Sequence, residues 1–221
     1  MPTQTKENYL KAMFFLSQKN FDVTITELSN QMSVSKPTAN SMVRKMEEKG
    51  WISYQKYKPL KLTNKGEKMG ALIVRKHRLA EMFLSEVMGF GWEEVHEIAE
   101  EMEHLKTEMF FDRMDEILGF PTKDPHGSPI PDKNGRIPQS NYLNLTSIKE
   151  GRRVVLAGLV SSSKELLLYL NRKNITLGTE FTVSQIESFD KSFEITLKEG
   201  PQFVMSFSVC KCLLVKEVQA H

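Results

Sequence analysis

The first part of the chain alternates short amphipathic segments with turns. Over residues 5–18, apolar side chains recur at the three- and four-residue spacing of a helix with one buried face. A second short helix is predicted at Glu27–Met32 with Thr26 as its cap. A third is predicted from Ser35, its N-cap, to Lys49, with a proline in its first turn.

A small hairpin is predicted directly after these helices. Trp51–Tyr57 and Leu60–Thr63 have the composition of short strands, and Lys58-Pro59 forms the turn between them. A helix, a helix–turn–helix and a hairpin in this order predict a winged helix-turn-helix.

Two long helices and a linker are predicted in the middle of the chain. The helices span Asn64–Met88, closed by Gly89, and Trp92–Leu118, closed by Gly119. Pro121–Pro138 contains five prolines and two glycines, which excludes regular structure there and indicates a linker.

Short alternating segments dominate residues 149–219. One helical piece, Ser163–Leu170, interrupts them, and five short strands with little else indicate a small β-barrel. The predicted strands are Arg153–Leu156, Glu180–Val183, Phe193–Leu197, Phe203–Ser208 and Cys212–Val215. The predicted fold class is mainly α with small β, with domains at 1–63 (winged helix-turn-helix), 64–140 (helical, its linker starting near 121) and 141–221 (barrel).

The composition favours a globular protein of the cytoplasm. The chain has 221 residues, 40% of them hydrophobic, and its apolar runs of about five residues are too short to cross a membrane. The N-terminus has no apolar signal segment. Cys210 and Cys212 stand two apart, too close for an ordinary structural disulfide, and we expect them on one face of a strand.

The net charge of +2 conceals two modules of opposite sign. Residues 1–70 carry a net charge of +6, residues 71–120 carry −7, and the remainder carries +3. This asymmetry favours a basic module that binds a polyanion and an acidic module that holds cations, although solvated helix faces of uneven charge would look the same.

The polar and cationic side chains of the basic module are distributed as in a DNA-binding domain. Short polar side chains begin the outer face of helix 36–49, cations follow, and the hairpin adds lysines, Lys61 among them, where a wing would touch phosphates. The predicted DNA-contacting residues are Ser35, Lys36, Pro37, Thr38, Asn40, Ser41, Arg44, Lys45, Lys56 and Lys58. The alternative is a winged helix used only for protein contacts.

The acidic module places histidines and carboxylates at helical spacing. On a continuous helix, His96, Glu100, Glu103 and His104 would fall within a third of the circumference. The preceding helix offers His77 and Glu81 four residues apart, and two helices facing each other with such groups form transition-metal sites. The segment from His96 to Glu100 resembles the zinc-protease motif but lacks its second histidine, so hydrolase chemistry is disfavoured.

Several motifs together resemble one family. They are Ser35-x-Pro37-Thr38, Arg75-Lys76-His77-Arg78-Leu79-Ala80-Glu81, Val95-His96 followed by Glu100-x-x-Glu103-His104, and Pro125-His126-Gly127-Ser128-Pro129-Ile130-Pro131. Residues 5–140 closely resemble the diphtheria-toxin-repressor and manganese-transport-regulator family of metal-dependent transcriptional repressors. The resemblance implies a homodimer that binds double-stranded operator DNA when metal is bound, and an SH3-like, FeoA-type C-terminal domain.

The resemblance also implies metal ligands. Carried over residue by residue, it assigns Asn8, Glu100, Glu103 and His104 to a primary site. It assigns His77, Glu81 and His96 to an ancillary site, and it places Glu165, Asp124 and His126 near further ligand positions, although His126 would also fit a purely structural role in the linker.

The chain departs from the family pattern at three positions. Position 8 is Asn where the family has Met or Asp, position 11 is Lys where some manganese regulators have Glu, and position 100 is Glu where iron regulators have Cys.

Hard oxygen donors with one imidazole favour Mn²⁺, with Fe²⁺ second. The function predicted from the sequence is therefore a metal-dependent repressor, not an enzyme, that controls metal-uptake genes. The alternative is a metal-binding enzyme or metal buffer whose winged helix contacts protein.

Overall fold

A computed structural model describes residues 3–19, 22–55, 58–198 and 200–218 of the chain. It divides into two compact units. The first comprises residues 1–80, 97–122 and 130–138, and the second comprises residues 81–96, 123–129 and 139–221. No helix of the described residues is long and apolar enough to cross a membrane.

The N-terminal part of the first unit is a winged helix-turn-helix, as predicted. Its elements are α1 (Gln4–Lys19), α2 (Ile25–Gln31), α3 (Lys36–Glu48), β1 (Ile52–Ser53) and β2 (Lys61–Leu62), the two strands pairing antiparallel. Leu10 and Met13 of α1, Leu28 of α2, and Val43 and Met46 of α3 are buried in one core. The hydrophobic spacing that predicted the helices therefore also orients α3, leaving its polar face outward.

The caps of α2 and α3 explain where these helices begin. Thr24, and not Thr26 as predicted, caps α2: its hydroxyl accepts from the Glu27 N–H while the Glu27 carboxylate accepts from the Thr24 N–H. Ser35 caps α3 as predicted, its hydroxyl accepting from the Thr38 N–H. Gly50 follows α3 with φ of +68°, the left-handed conformation that ends a helix at little cost for glycine.

The acidic region forms two helices, where the sequence predicted one. The elements after the wing are α4 (Asn64–Glu86), α5 (Val95–Met102) and α6 (Glu108–Ile117). The predicted continuous helix Trp92–Leu118 is wrong, because the chain turns after Met102 and begins again behind Thr107, an extended N-cap. Glu103 and His104 therefore lie in a turn just past α5, where the Glu103 N–H still donates to the Ala99 carbonyl.

The second unit contains an antiparallel sheet with its own core. Its elements are β3 (Leu143–Asn144), a 3₁₀ turn (Leu145–Ser147), β4 (Arg153–Leu159), α7 (Lys164–Arg172), β5 (Glu180–Ile186), β6 (Phe193–Leu197), β7 (Gln202–Met205), α8 (Phe207–Cys210) and β8 (Leu213–Glu217). The strand order is β3-β8-β4-β5-β6-β7. The sequence predicted five of these strands and missed the two-residue β3. Cys210 ends α8 and Cys212 follows it, so the expectation that both lie on a strand is wrong.

A loop of the second unit, residues 123–129, packs directly on β4. The Leu159 N–H donates to the His126 carbonyl at 3.0 Å. A Cβ on Gly127, whose φ is +83°, would stand 2.4 Å from the Ala157 carbonyl oxygen, so this close approach requires glycine. The loop is thereby held in one register on the strand.

Candidate metal centre and nucleic-acid interface

The surface of α3 and the wing presents most of the predicted DNA-contacting side chains to solvent. Ser35, Lys36, Pro37, Thr38, Ser41, Arg44, Lys45 and Lys58 are exposed, and Asn40 is half-buried. The predicted contact Lys56 lies outside the described residues. The positive charge of this surface is therefore available to a polyanion.

A groove joins the two parts of this surface. Lys36, Pro37 and Asn40 of α3 line it on one side, and Tyr54 and Lys58 of the wing line it on the other. An extended basic face built from a helix and a wing is how winged helices contact DNA backbone and groove together.

The N-terminal turn of α1 meets the turn after α5 through an imidazole. His104 Nδ1 lies 2.6 Å from Glu7 Oε2, and the two side chains are only 10% and 15% exposed. Because a carboxylate only accepts, the Nδ1–H donates to Glu7, and a neutral His104 then carries its lone pair on Nε2. A carboxylate on one imidazole nitrogen, holding the other ready for a ligand, is typical of metal sites.

Three buried atoms in this region lack a hydrogen-bond partner among the described residues. They are Asn8 Oδ1, Glu103 Oε1 and His104 Nε2. The last two atoms stand 3.7 Å apart, too far for a hydrogen bond. A buried unpaired acceptor costs about 1–3 kcal/mol. One cation would satisfy the carboxylate oxygen of Glu103 and the imidazole nitrogen of His104 together, and the amide oxygen of Asn8 is a donor that suits the same kind of ion. The donor set therefore fits a divalent metal ion.

A second group of ligand-type atoms in the first unit surrounds a lysine. Lys11, 8% exposed, places its Nζ 2.5 Å from Glu100 Oε1, 2.6 Å from Glu103 Oε2 and 3.2 Å from His77 Nδ1. His77 Nδ1 is also 2.7 Å from Glu103 Oε2, and because a carboxylate only accepts, the Nδ1–H donates to Glu103. The side chains of His77, Glu100 and Glu103 are close enough together to hold a metal ion, since their ligand atoms all lie within 4.8 Å of one another.

The second unit has a buried cluster of its own. Glu81, Asp124 and His126 are each at most 5% exposed and bring ligand atoms within 4.8 Å of one another. His96, more exposed, places Nδ1 3.2 Å from Glu81 Oε1. Two carboxylates and one or two imidazoles have the chemistry of a divalent-metal site.

Hydrogen bonds orient the ligands of this second cluster. His126 Nε2 lies 2.7 Å from the carbonyl oxygen of Trp92, so it carries the proton and leaves Nδ1 facing Glu81 Oε2 at 3.9 Å. Asp124 Oδ1 accepts from the N–H groups of His126 and Ser128, both at 2.9 Å, which fixes the loop. His126 thus both orders the linker and points a nitrogen into the cluster.

The predicted metal ligands are divided between the two units. Glu100, Glu103, His104 and His77 belong to the first unit, and Glu81 and His96 belong to the second. Glu165 is exposed in the first turn of α7, outside the clusters found among the described residues. Its own N–H and the Ser163 hydroxyl bond its carboxylate and lower its pKa.

Sequence reasoning missed the parts played by Glu7 and Lys11. Both stand on the face of α1 that also carries Asn8, since positions 7, 8 and 11 fall within about 100° of the helix circumference. The available signal was a lysine within the buried stripe of α1, between Leu10 and Ala12.

Comparison with known proteins assigns a role to each region. Three family models match consecutive parts of the chain: the N-terminal DNA-binding domain of iron-dependent repressors at residues 1–60, their metal-binding and dimerisation domain at 63–132, and the FeoA domain at 143–217. The iron-dependent repressor IdeR of Mycobacterium leprae is 36% identical over 127 residues, which are 58% of this chain and 55% of that protein. The match thus spans about half the length of this curated relative.

Solved structures match over nearly the whole chain. A manganese-dependent transcriptional repressor in complex with manganese superposes with a TM-score of 0.86 at 27% identity, covering 96% of this chain and all of that one. The metal-dependent transcriptional regulator MtsR is 34% identical, with a TM-score of 0.72 over 96% of this chain and 98% of that one.

The fold and the clusters define a class of protein, winged-helix DNA-binding proteins joined to a metal-binding and dimerisation domain. Within that class, the chain belongs to the diphtheria-toxin-repressor and manganese-transport-regulator family of metal-dependent transcriptional repressors, and its C-terminal part is a FeoA domain.

Proposed function

We propose that this protein is a homodimeric repressor that binds double-stranded operator DNA when it holds Mn²⁺, with Fe²⁺ as the second choice, and controls metal-uptake genes. The observation that carries the proposal is a trio of buried atoms with no hydrogen-bond partner in the described part of the chain, namely Asn8 Oδ1, Glu103 Oε1 and His104 Nε2. Asn8 belongs to the first helix of the winged domain, and the other two follow α5. One ion on these atoms would therefore tie the DNA-binding module to the acidic module.

The metal preference follows from the donor atoms. The proposed primary ligands are Asn8, Glu100, Glu103 and His104, which supply oxygens and one imidazole but no sulfur. Such donors suit Mn²⁺ and Fe²⁺ better than soft ions, although Zn²⁺ binds more tightly to most sites of equal geometry. The ancillary site is proposed at Glu81 and His96 with Asp124 and His126. The participation of His77 and Glu165 in it stays a prediction.

The homodimer is supported by apolar side chains that are exposed in the described part of the chain. Met109 and Ile117 of α6 are 75% and 57% exposed, and Phe120 beyond it is 63% exposed. They lie within the part that matches a dimerisation domain. A second copy of this chain is the partner that we propose for this apolar surface.

The decisive experiment compares DNA binding with and without metal for the wild type and His104→Ala. The probe is a duplex selected from a random pool by the protein in the presence of Mn²⁺. We expect Mn²⁺ to tighten wild-type binding, and the variant to need more than about tenfold more Mn²⁺, because it loses the imidazole of the site.

Leu105→Ala is the matched control, since Leu105 is the exposed neighbour of His104 and should leave the Mn²⁺ response in place. Wild-type affinity that is independent of every metal would contradict the repressor proposal. It would favour instead an enzyme or buffer with a winged-helix protein-contact module. A normal response in His104→Ala would refute only the ligand assignment.

A further inference from the structure

One amide side chain of α7 binds the segment that leads into α5. Asn171 Oδ1 accepts from the indole Nε1–H of Trp92 at 2.7 Å, and Asn171 Nδ2 donates to Glu93 Oε2 at 3.1 Å. Because an indole nitrogen only donates and a carboxylate only accepts, these two contacts fix which way the amide points. Asn171 thus holds together two parts of the second unit that are distant in the sequence.

Trp92 in turn determines where the imidazole of His126 lies. The His126 Nε2–H donates to the Trp92 carbonyl at 2.7 Å, and the two rings stack with their centroids 6.1 Å apart. His126 is only 2% exposed, and its Nδ1 faces Glu81 in the second-unit cluster of Glu81, Asp124 and His126. A hydrogen bond on one imidazole nitrogen sets the direction of the other, and the loss of such an outer contact weakens metal binding by about 10–100-fold.

The amide of Asn171 also contacts the other side of this cluster, although α7 supplies no ligand to it. Glu93 precedes His96 by three residues, and His96 Nδ1 lies 3.2 Å from Glu81 Oε1. Glu165, the acid of α7, is exposed and lies outside the clusters found among the described residues. The contacts of α7 with the cluster therefore run through Asn171.

We propose that Asn171 is a positioning residue for the second metal site: by binding Trp92 it holds His126 with Nδ1 toward Glu81, and it thereby raises the affinity of the site without contacting the ion. The inference rests on the proposed function, because it takes the second-unit cluster as the ancillary site. It means that the FeoA domain, to which α7 belongs, controls the affinity of a metal site through a hydrogen bond and not through a ligand.

Trp92 provides a spectroscopic readout of this site. The chain has two tryptophans, so Trp51→Phe leaves Trp92 as the single emitter. Trp51 lies in the core of the winged domain, and its Nε1 has no hydrogen-bond partner in the described part of the chain, so phenylalanine is a mild replacement there. Mn²⁺ is paramagnetic and quenches fluorescence at short range, and an ion bound beside His126 should therefore quench Trp92.

The experiment titrates Mn²⁺ into Trp51→Phe with and without Asn171→Ala, following the emission of Trp92. We expect Asn171→Ala to move the quenching midpoint to about tenfold higher Mn²⁺, the lower end of the range for outer contacts of a metal ligand. His126→Ala identifies the transition of the second site, because it removes a ligand. Glu165→Gln is the matched control on the same helix and should leave the midpoint in place.

A double-mutant cycle separates this role from general damage to the fold. Trp92→Phe removes the indole donor and keeps the carbonyl that binds His126, and calorimetry measures Mn²⁺ affinity where the fluorophore is absent. If Asn171 acts through Trp92, the combined variant should lose no more affinity than either single variant, whereas independent effects would add. Either single variant still shows the loss of affinity should the other fail to fold.

An unchanged midpoint in folded Asn171→Ala would overturn the proposal. A loss of the same size in Glu165→Gln would overturn it too, because α7 would then supply a ligand. A wild type without a transition that depends on His126 would remove the second site and this inference with it. The proposed repressor function is tested separately, by the dependence of DNA binding on Mn²⁺, and these outcomes leave it in place.

Discussion

Glu103 shows how much of this protein depends on a single side chain. Its carboxylate is fully buried, and one oxygen bonds both Lys11 and His77. Removing one partner of a buried ion pair costs about 3–5 kcal/mol, because the other charge remains without compensation. Glu103 thus contributes to folding and to the candidate site at once, and a loss of metal response on its replacement would not separate the two roles. His104, outside the lysine cluster, is the better residue to test.

The two cysteines should differ sharply in reactivity. Burial raises the pKa of the Cys210 thiol to about 12, so at pH 8 only about one molecule in ten thousand carries the reactive thiolate there. Cys212 is half-buried. We expect iodoacetamide at pH 8 to modify Cys212 in the folded protein while Cys210 stays unmodified, until the pH approaches the raised pKa or the protein unfolds.

Peptide mapping after trypsin checks this prediction, because cleavage after Lys211 puts the two cysteines on different peptides. Labelling in urea is the control, in which both should react. Rapid modification of Cys210 in the folded protein would contradict its position in the core of the second unit.

At the scale of elements, α3 combines a buried face with an exposed polar face, which is the proposed DNA contact. Ala39, Val43 and Met46 are completely buried, while Lys36, Arg44 and other polar residues remain in solvent. The buried residues fix the rotation of the helix, and that rotation decides which side chains reach DNA.

The proposed phosphate contacts of α3 and the wing can be tested by salt dependence. We expect Lys45→Ala with Lys58→Ala to weaken binding to selected and random duplexes alike. The slope of log affinity against log salt should fall by about 0.9 for each lost contact. Lys149→Ala with Lys164→Ala, exposed lysines of the second unit, should leave the slope unchanged. A loss confined to the selected duplex would mean that Lys45 and Lys58 read bases.

The elements show where sequence patterns succeed and where they fail. The caps Ser35 and Gly50 are local signals, and α3 begins and ends at them. The break after Met102 has no proline or glycine to announce it, and the surrounding acidic sequence favours helix throughout. Thr107 is the only local signal, and it makes no side-chain capping bond. In this turn, Glu103 contacts Lys11 and His77, and His104 contacts Glu7. These partners are distant in the sequence, so the local pattern of residues does not predict the turn.

The whole molecule contains two units, each with a carboxylate–histidine cluster of its own. Spacing and resemblance together predicted Glu100, Glu103 and His104 as neighbours, and the structure brings them into one region. The contacts of Lys11 were not predicted: the sequence marks position 11 only as a departure from the family pattern, within the buried stripe of α1. Its burial follows from the packing of α1 against residues 66–92 positions further along the chain.

The proposed homodimer can be tested on the apolar surface of α6. We expect Met109→Asp with Ile117→Asp to convert the dimer into a monomer, because two charges in an apolar interface lose their hydration without a partner. Light scattering after size-exclusion chromatography measures the mass. Phe189→Asp is the control, since Phe189 is 99% exposed in the second unit. A double variant that keeps twice the mass of the chain would place the interface elsewhere.

The candidate ligand position of α1 and the proposed DNA-contacting face of α3 lie on different helices. An engineer could therefore change the metal response without changing which DNA is bound. Positions 8 and 11 lie one turn apart on α1, and neither is among the exposed residues of α3 and the wing. A genetic reporter circuit could therefore use the same promoter sequence for every variant. A library of substitutions at positions 8 and 11 would then change which metal ion represses the reporter gene, and at what concentration.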